Sequence, residues 1–142
     1  MKSKKPTELS QAIDHLKESL KLEYSIIIHM PRIASAIKDE EIKEMAQMLG
    51  NASVKHADTV ANAISALGGN PEWSFDPAPM GESLVEIFEK QLDKEKLALQ
   101  LHQKNASLIT DKNLKLRFAQ LAKDEEWHIK IVNDILSRLR ET

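Results

Sequence analysis

Apolar residues recur every three or four positions along most of the chain, which is the spacing of one face of an α-helix. The pattern predicts four amphipathic helices, over about 8–37, 40–67, 82–109 and 112–140. Thr7 and Asp39 are the expected N-caps of the first and second helices. Pro31 falls inside the first helix, where it is expected to kink the helix or to end its first part.

The connections between the predicted helices are short, long and short. Short turns at 38–39 and 110–111 predict two antiparallel helical hairpins, at about 8–67 and 82–140. The segment 68–81 between them holds three of the five prolines and is long enough to cross over along the bundle. The sequence therefore predicts an all-α chain with a single domain over 1–142, an antiparallel bundle of two hairpins joined by a crossover loop.

The two predicted hairpins match each other when the second is shifted back onto the first in a single register. Apolar matches are expected between any two helical hairpins, so they carry little information. In that register, however, Glu23 also falls on Glu95, and His56 falls on His128. Polar matches in the same register indicate a pseudo-twofold arrangement of two similar hairpins.

Five polar residues interrupt the apolar stripes: Glu23, His56, Glu95, Glu125 and His128. In each hairpin the glutamate that precedes the turn and the histidine that follows it are almost equally far from the turn. At ~1.5 Å rise per residue they therefore meet at one level of the bundle. A buried, unpaired carboxylate is costly, and the same stripes carry no Lys or Arg. Any one of these residues alone is more typical of a core or surface contact, but together they predict a divalent metal, with iron, manganese or zinc all compatible.

At these positions the sequence resembles the ferritin-like superfamily of di-iron carboxylate bundles, including bacterioferritins and rubrerythrins. Their pattern is a Glu from each of two helices and a Glu-x-x-His from each of the other two. Glu23 and Glu95 match the single glutamates, and Glu125 to His128 matches one Glu-x-x-His. The resemblance covers about 9–139. It implies an iron site, with one or two ions per chain, that oxidises Fe(II) or reduces O₂ or peroxide.

The second helix departs from this pattern at Ser53, where the family has a metal-bridging glutamate before His56. Two divalent ions carry +4, whereas the three remaining glutamates supply −3. Either a hydroxide, oxo or exogenous carboxylate bridge completes the site, or it holds one ion on the side of Glu95, Glu125 and His128. A third outcome is a relic site that binds metal weakly or not at all.

Three further residues have expected supporting roles around the ligands. The resemblance implies that Asp124 orients a ligand histidine across the bundle, here His56. Gln91 lies one turn before Glu95 and is a candidate neutral oxygen donor. His102 follows Glu95 by two helical turns on the same face. By helical rise it lies ~10 Å away, so it is expected to make a polar interior contact and not to ligate the same ion.

Other positions indicate which cofactors are not expected and which histidines are expected at the surface. Val54 stands where the resemblance places the haem-ligating Met of bacterioferritins, so no haem is expected there. The chain has no cysteine, which excludes iron–sulfur clusters. His15 and His29 lie off the stripes and are expected at the surface.

The net charge and the two ends of the sequence bear on the expected partners, location and assembly of the protein. The 20 basic and 22 acidic side chains give a net charge of −2, which argues against a nucleic-acid partner. No apolar run approaches the ~20 residues of a membrane span. A basic start followed by Pro6 does not match a signal peptide, so a cytoplasmic location is expected. With little sequence after the fourth helix, a homodimer or another homo-oligomer is expected rather than a 24-subunit shell.

Three functions remain open from sequence. The first is a metal protein of the ferroxidase or peroxidase type. The second is a non-catalytic binding or assembly module with a degenerate one-metal or empty site, which the loss of a carboxylate at Ser53 favours. The third is a coiled-coil-like interaction protein, which fits the apolar stripes but not the shared register of the five polar residues.

Overall fold

The computed structural model describes residues 8–141. They form four helices, α1 (Glu8–Ser35), α2 (Glu40–Ala66), α3 (Leu84–Leu108) and α4 (Lys112–Arg140). No strand occurs within this range, and the predicted all-α bundle is confirmed. The expected N-cap Thr7 lies outside the described residues. Helix α1 continues through Pro31 to Ser35, so the proline does not end it. The ring removes one backbone N–H donor, and the four residues after it remain helical.

Side-chain caps fix where three helices begin. Asp39 and Asp111 each accept a hydrogen bond from the backbone N–H three residues later, at 3.0 Å in both cases. Ser83 begins α3 with a capping box, in which its side chain and that of Glu86 satisfy each other's backbone N–H groups. The cap at Asp39 is the one that the sequence predicted.

The helices pack as two hairpins, α1 with α2 and α3 with α4, and the hairpins meet through α1 with α3 and α2 with α4. The buried apolar residues form two clusters, one around Phe88 near the α1–α2 turn and one around Phe118 near the α3–α4 turn. The two turns therefore lie at opposite ends of the bundle. Polar side chains fill the interior between the clusters, where all four helices converge.

The connection between the hairpins, residues 67–83, runs along α1. The Trp73 ring lies 4.2 Å from the Tyr24 ring between centroids. The backbone N–H of Asp76 donates to the Ser25 hydroxyl at 2.8 Å, and its carbonyl accepts a hydrogen bond from His29 Nε2 at 2.6 Å. His29 is therefore half-buried under the loop, whereas the sequence placed it at the surface. These contacts hold the loop in the crossover path that the hairpin directions require.

None of the helices within residues 8–141 combines the length and the apolar character needed to cross a bilayer.

Candidate metal centre

The five interior polar residues predicted from the stripes come from all four helices and meet between the two apolar clusters. Each is nearly or completely buried, with His56 the most exposed at 6%. Glu23 comes from α1, His56 from α2, Glu95 from α3, and Glu125 and His128 from α4. Helices that pack around one interior level bring these side chains together although they are far apart in sequence.

Glu125 lies at the centre of the cluster, and its two oxygens face different partners. Oε1 lies 3.5 Å from His56 Nδ1, which in turn lies 3.6 Å from Glu23 Oε1. Oε2 lies 3.5 Å from His128 Nδ1, which lies 3.5 Å from Glu95 Oε2. We call these two sets of donors the Oε1 side and the Oε2 side. The carboxylate of Glu125 joins them.

These separations are too long for hydrogen bonds but suit ligands of a shared ion. Two ligand atoms that each lie ~2.1 Å from one ion in a tetrahedral arrangement are ~3.4 Å apart. Both oxygens of Glu23 and Glu125, Glu95 Oε2 and both ring nitrogens of His128 are buried without a hydrogen-bond partner. Since buried polar atoms normally have partners, this set of orphaned oxygens and nitrogens fits a metal ion.

Two of the expected supporting residues contact the cluster. Asp124 Oδ2 lies 3.2 Å from His56 Nε2, the ring nitrogen that faces away from Glu125. This contact leaves Nδ1 free to face the interior, as expected of a carboxylate that orients a ligand histidine. Gln91 Nε2 donates to Glu95 Oε1 at 2.9 Å. Gln91 thus acts as a donor that positions Glu95, rather than offering its oxygen to a metal.

His102 lies closer to the cluster than its ~10 Å of helical rise from Glu95 implied. Its Nε2 lies 3.7 Å from Glu125 Oε1. Ligand atoms of Glu23, His102 and Glu125 all lie within 4.8 Å of one another. Side chains on a helix lean toward its N-terminus, so on antiparallel helices the His102 ring and the Glu125 carboxylate lean toward each other.

Ser53 is fully buried, but its hydroxyl does not join the donors. It donates to the carbonyl of Leu49 on its own helix at 3.1 Å. A serine that bonds back to residue i−4 has its polar group satisfied by the backbone. Among the described residues around the cluster, His56 is therefore the side chain of α2 that faces the other candidate ligands.

Two effects set the pKa values of the cluster: burial, which disfavours the charged form of each group, and contacts between the carboxylates and the imidazoles. For His56, burial lowers the pKa, but contacts with Glu125 and Glu23 outweigh it and raise the pKa to about 10. For His128, burial is likewise outweighed by Glu125 and Glu95, and the pKa rises to about 9. Burial raises the pKa of Glu23 and of Glu95. Burial also acts to raise the pKa of Glu125, but the contacts with Glu95 and the imidazoles outweigh it and hold that pKa below its usual range.

The structure also contains interior polar residues that the sequence did not single out. Ser19 Oγ and Asn105 Nδ2 are buried without a hydrogen-bond partner, and Asn105 Oδ1 lies 3.3 Å from His15 Nδ1. His15 is therefore half-buried between helices, not at the surface as predicted. Ser19 precedes Glu23 by one helical turn, so its position on the apolar stripe could have indicated that it is buried. A serine is small and common on buried faces, so this position alone does not indicate a functional residue.

A shallow depression connects the cluster to solvent. It has a volume of about 330 Å³ and lies between α2 and α4, with His56, Asp124, Asn62 and Arg117 in its wall. His56 is the one member of the cluster that reaches it, which agrees with its slightly greater exposure. The Oε1 side of Glu125 is therefore the side closer to this opening.

Comparison with solved structures shows that the chain has the four-helix-bundle fold of ferritin-like proteins, which its sequence predicted. A ferritin-like di-iron carboxylate protein of Bacillus anthracis superposes with a TM-score of 0.79 at 21% identity, covering 91% of this chain and 97% of that one. A dodecameric thioferritin of Bacteroides fragilis gives a TM-score of 0.79 at 17% identity, with coverages of 94% and 88%. Rhodobacter capsulatus bacterioferritin gives a TM-score of 0.72 at 26% identity, with coverages of 99% and 89%. No protein-family model and no curated protein sequence matches the chain.

Proposed function

We propose that this chain, a ferritin-like four-helix bundle, binds iron at the buried cluster and oxidises Fe(II) with O₂ or peroxide. The observation that carries the proposal is Glu125, a fully buried carboxylate whose two oxygens face two separate sets of unpartnered carboxylate and imidazole atoms. A carboxylate shared in this way is suited to hold two ions close together. The Bacillus anthracis structure is a di-iron carboxylate protein of the same fold, which supports iron over zinc or manganese.

In this function, some residues of the cluster would bind the ions and others would orient the ligands. Glu23, His56 and Glu125 would hold an ion on the Oε1 side, and Glu95, His128 and Glu125 would hold one on the Oε2 side. Asp124 keeps the His56 ring oriented, and Gln91 does so for the Glu95 carboxylate. Iron bound there would supply the redox chemistry, in which two Fe(II) ions give one electron each and O₂ takes up two electrons and two protons to form hydrogen peroxide. The surrounding apolar clusters keep bulk water from the buried donors.

The first test is the metal content of the purified protein together with its reactivity. We expect between one and two tightly bound iron ions per chain after anaerobic loading with Fe(II), and O₂-dependent oxidation faster than in buffer alone. Fewer than one tightly bound ion per chain, with oxidation no faster than in buffer, contradicts the proposal. Anomalous scattering from a loaded crystal then measures the separation of the ions, expected at ~3.5–4 Å.

Metal binding is also expected to release protons and to strengthen as the pH rises. A ligand imidazole must be neutral, but the contacts with Glu125 keep His56 and His128 protonated at pH 7 in the metal-free cluster, with pKa values of about 10 and about 9. Each ion therefore displaces at least one proton at pH 7. Calorimetric titration with Co²⁺ in two buffers of different ionisation enthalpy counts these protons. An affinity that is constant from pH 7 to pH 8, with no proton released, contradicts the expectation.

A second function is favoured by one specific observation. Ser53 is fully buried, and its hydroxyl is satisfied by its own helix, so α2 contributes no carboxylate to the cluster. Such a bundle would serve as a non-catalytic binding or assembly module with one weakly held ion or none. The metal content above separates the two functions, since the module retains fewer than one ion per chain.

The assembly of the chain is expected to be a homo-oligomer in either case. The Bacteroides fragilis relative is dodecameric, which supports an oligomer without fixing its size for this chain. The mass of the protein in solution tests this expectation. A cytoplasmic location, the absence of haem at Val54 and the single-domain boundary remain proposals from sequence.

A further inference from the structure

His102 is a completely buried imidazole that has no hydrogen-bond partner. Its exposed fraction is 0%, and neither Nδ1 nor Nε2 has a donor or acceptor within bonding range. The ring lies beside Phe118, with 6.4 Å between ring centroids, and so its surroundings on that face are apolar. A buried polar group without a partner lowers the stability of a fold, and an apolar side chain at this position would avoid that cost. The imidazole is therefore more typical of a binding role than of core packing.

The internal repeat shows that this imidazole has no counterpart in the first hairpin. In the register that aligns Glu95 with Glu23, His102 falls on Met30, which is 1% exposed and belongs to an apolar cluster. Glu125 falls on Ser53 in the same register. Relative to a symmetric pair of hairpins, the first hairpin therefore lacks a carboxylate and the second hairpin has an additional imidazole.

The additional imidazole is directed at the cluster. His102 Nε2 lies 3.7 Å from Glu125 Oε1, close to the 3.5 Å that separates the same oxygen from His56 Nδ1. Both separations suit two ligands of one ion with bonds of ~2.1 Å. Ligand atoms of Glu23, His102 and Glu125 also lie within 4.8 Å of one another.

We propose that His102 is a metal ligand on the Oε1 side, where it supplies a donor in place of the one that Ser53 fails to provide. This inference rests on the proposed function. An ion on this side would be shared by Glu23, Glu125 and His102, whose ligand atoms lie within 4.8 Å of one another, with His56 Nδ1, 3.5 Å from Glu125 Oε1, as the fourth donor. The ion on the Oε2 side has three, from Glu95, Glu125 and His128. The site is an asymmetric two-metal centre in which an imidazole takes the place of a carboxylate.

The test compares Co²⁺ binding by the wild-type protein and by His102→Met. Methionine is the residue at position 30, which His102 matches in the internal repeat. Calorimetry is expected to show two ions in the wild type. The variant is expected to keep one ion at wild-type affinity and to bind the other more than ~100-fold more weakly, beyond the ~10–100-fold loss typical of a residue that only supports a ligand. His15→Met, the same change at a histidine outside the cluster, serves as the matched control and is expected to bind both ions as the wild type does.

Two outcomes overturn the proposal in distinguishable ways. If His102→Met binds both ions with wild-type affinity, His102 is not a ligand, although the proposed function stands. If the wild-type protein binds no Co²⁺, the proposed function fails, and this inference fails with it.

A measurement on the wild-type protein avoids any dependence on the folding of the variant. The chain has five histidines, and ¹⁵N-histidine labelling reports on each ring nitrogen by long-range proton–nitrogen correlation. On loading with Zn²⁺, three imidazoles are expected to show the nitrogen shifts of metal-bound rings. Two such imidazoles, corresponding to His56 and His128 alone, contradict a ligand role for His102.

Discussion

Glu125→Gln is expected to lose both metal ions. Each oxygen of this fully buried carboxylate faces one set of donors, so the change removes a charged ligand from both sides at once. The amide that replaces it has the same shape but carries no charge, and its NH₂ group repels a cation. Removing one partner of a buried charged pair costs ~3–5 kcal/mol, which corresponds to a loss of ~10²–10⁴-fold in affinity for each ion. Metal content after dialysis and calorimetric titration measure the effect.

Two further variants serve as controls for Glu125→Gln. Glu126→Gln changes the exposed neighbouring residue in the same way and is expected to bind both ions like the wild type. Glu95→Gln removes a ligand from the Oε2 side only and is expected to weaken one ion while leaving the other. If Glu125→Gln retains two ions with a circular dichroism spectrum like that of the wild type, Glu125 does not join the two sides.

Ser53→Glu is expected to lower the stability of the metal-free protein and to raise its affinity for a second ion. The change adds a fourth carboxylate at a fully buried position, three residues before His56 on the same helix. Without metal, the added charge and volume are expected to lower the free energy of unfolding by ~2–4 kcal/mol. With two divalent ions, four glutamates balance a charge of +4, and the affinity for the weaker ion is expected to rise at least ~10-fold. The midpoint of thermal unfolding should therefore depend on metal more strongly in the variant than in the wild type.

Calorimetric scans with and without Co²⁺ separate these two effects. Val54→Glu adds a carboxylate at the adjacent position, where the side chain is 48% exposed, and is expected to leave both metal affinity and metal dependence unchanged. A Ser53→Glu protein that is destabilised without metal but binds Co²⁺ no more tightly than the wild type would show that residue 53 does not face the ions.

Local signals were sufficient for the helices and for much of the site. Asp39 caps α2, and the helix ends lie within two residues of those predicted, because breakers and caps act over a few residues. The five interior polar residues were found because the apolar stripe defines the buried face and the constant helical rise defines the level. Asp124 lies beside His56 as the family resemblance implied.

The errors all concern the direction and the partners of single side chains. His15 and His29 lie off the stripes, yet Asn105 from another helix and the carbonyl of Asp76 in the crossover loop half-bury them. Their partners are separated from them by 90 and 47 residues, so no local pattern contains the information. Gln91 presents its NH₂ group, not its oxygen, to the cluster because Glu95 is an acceptor at that point.

The sequence by itself determined that this chain forms four helices, which face of each is buried, and that Glu23, His56, Glu95, Glu125 and His128 share one level. Periodicity and rise are properties of a single helix, so they can be read without knowing its neighbours. Only the tertiary structure decided which oxygen of Glu125 faces which histidine, and that His102 reaches that carboxylate. These depend on how antiparallel helices lean their side chains toward one another across the core, and the separation between two helices is set by the packing of both.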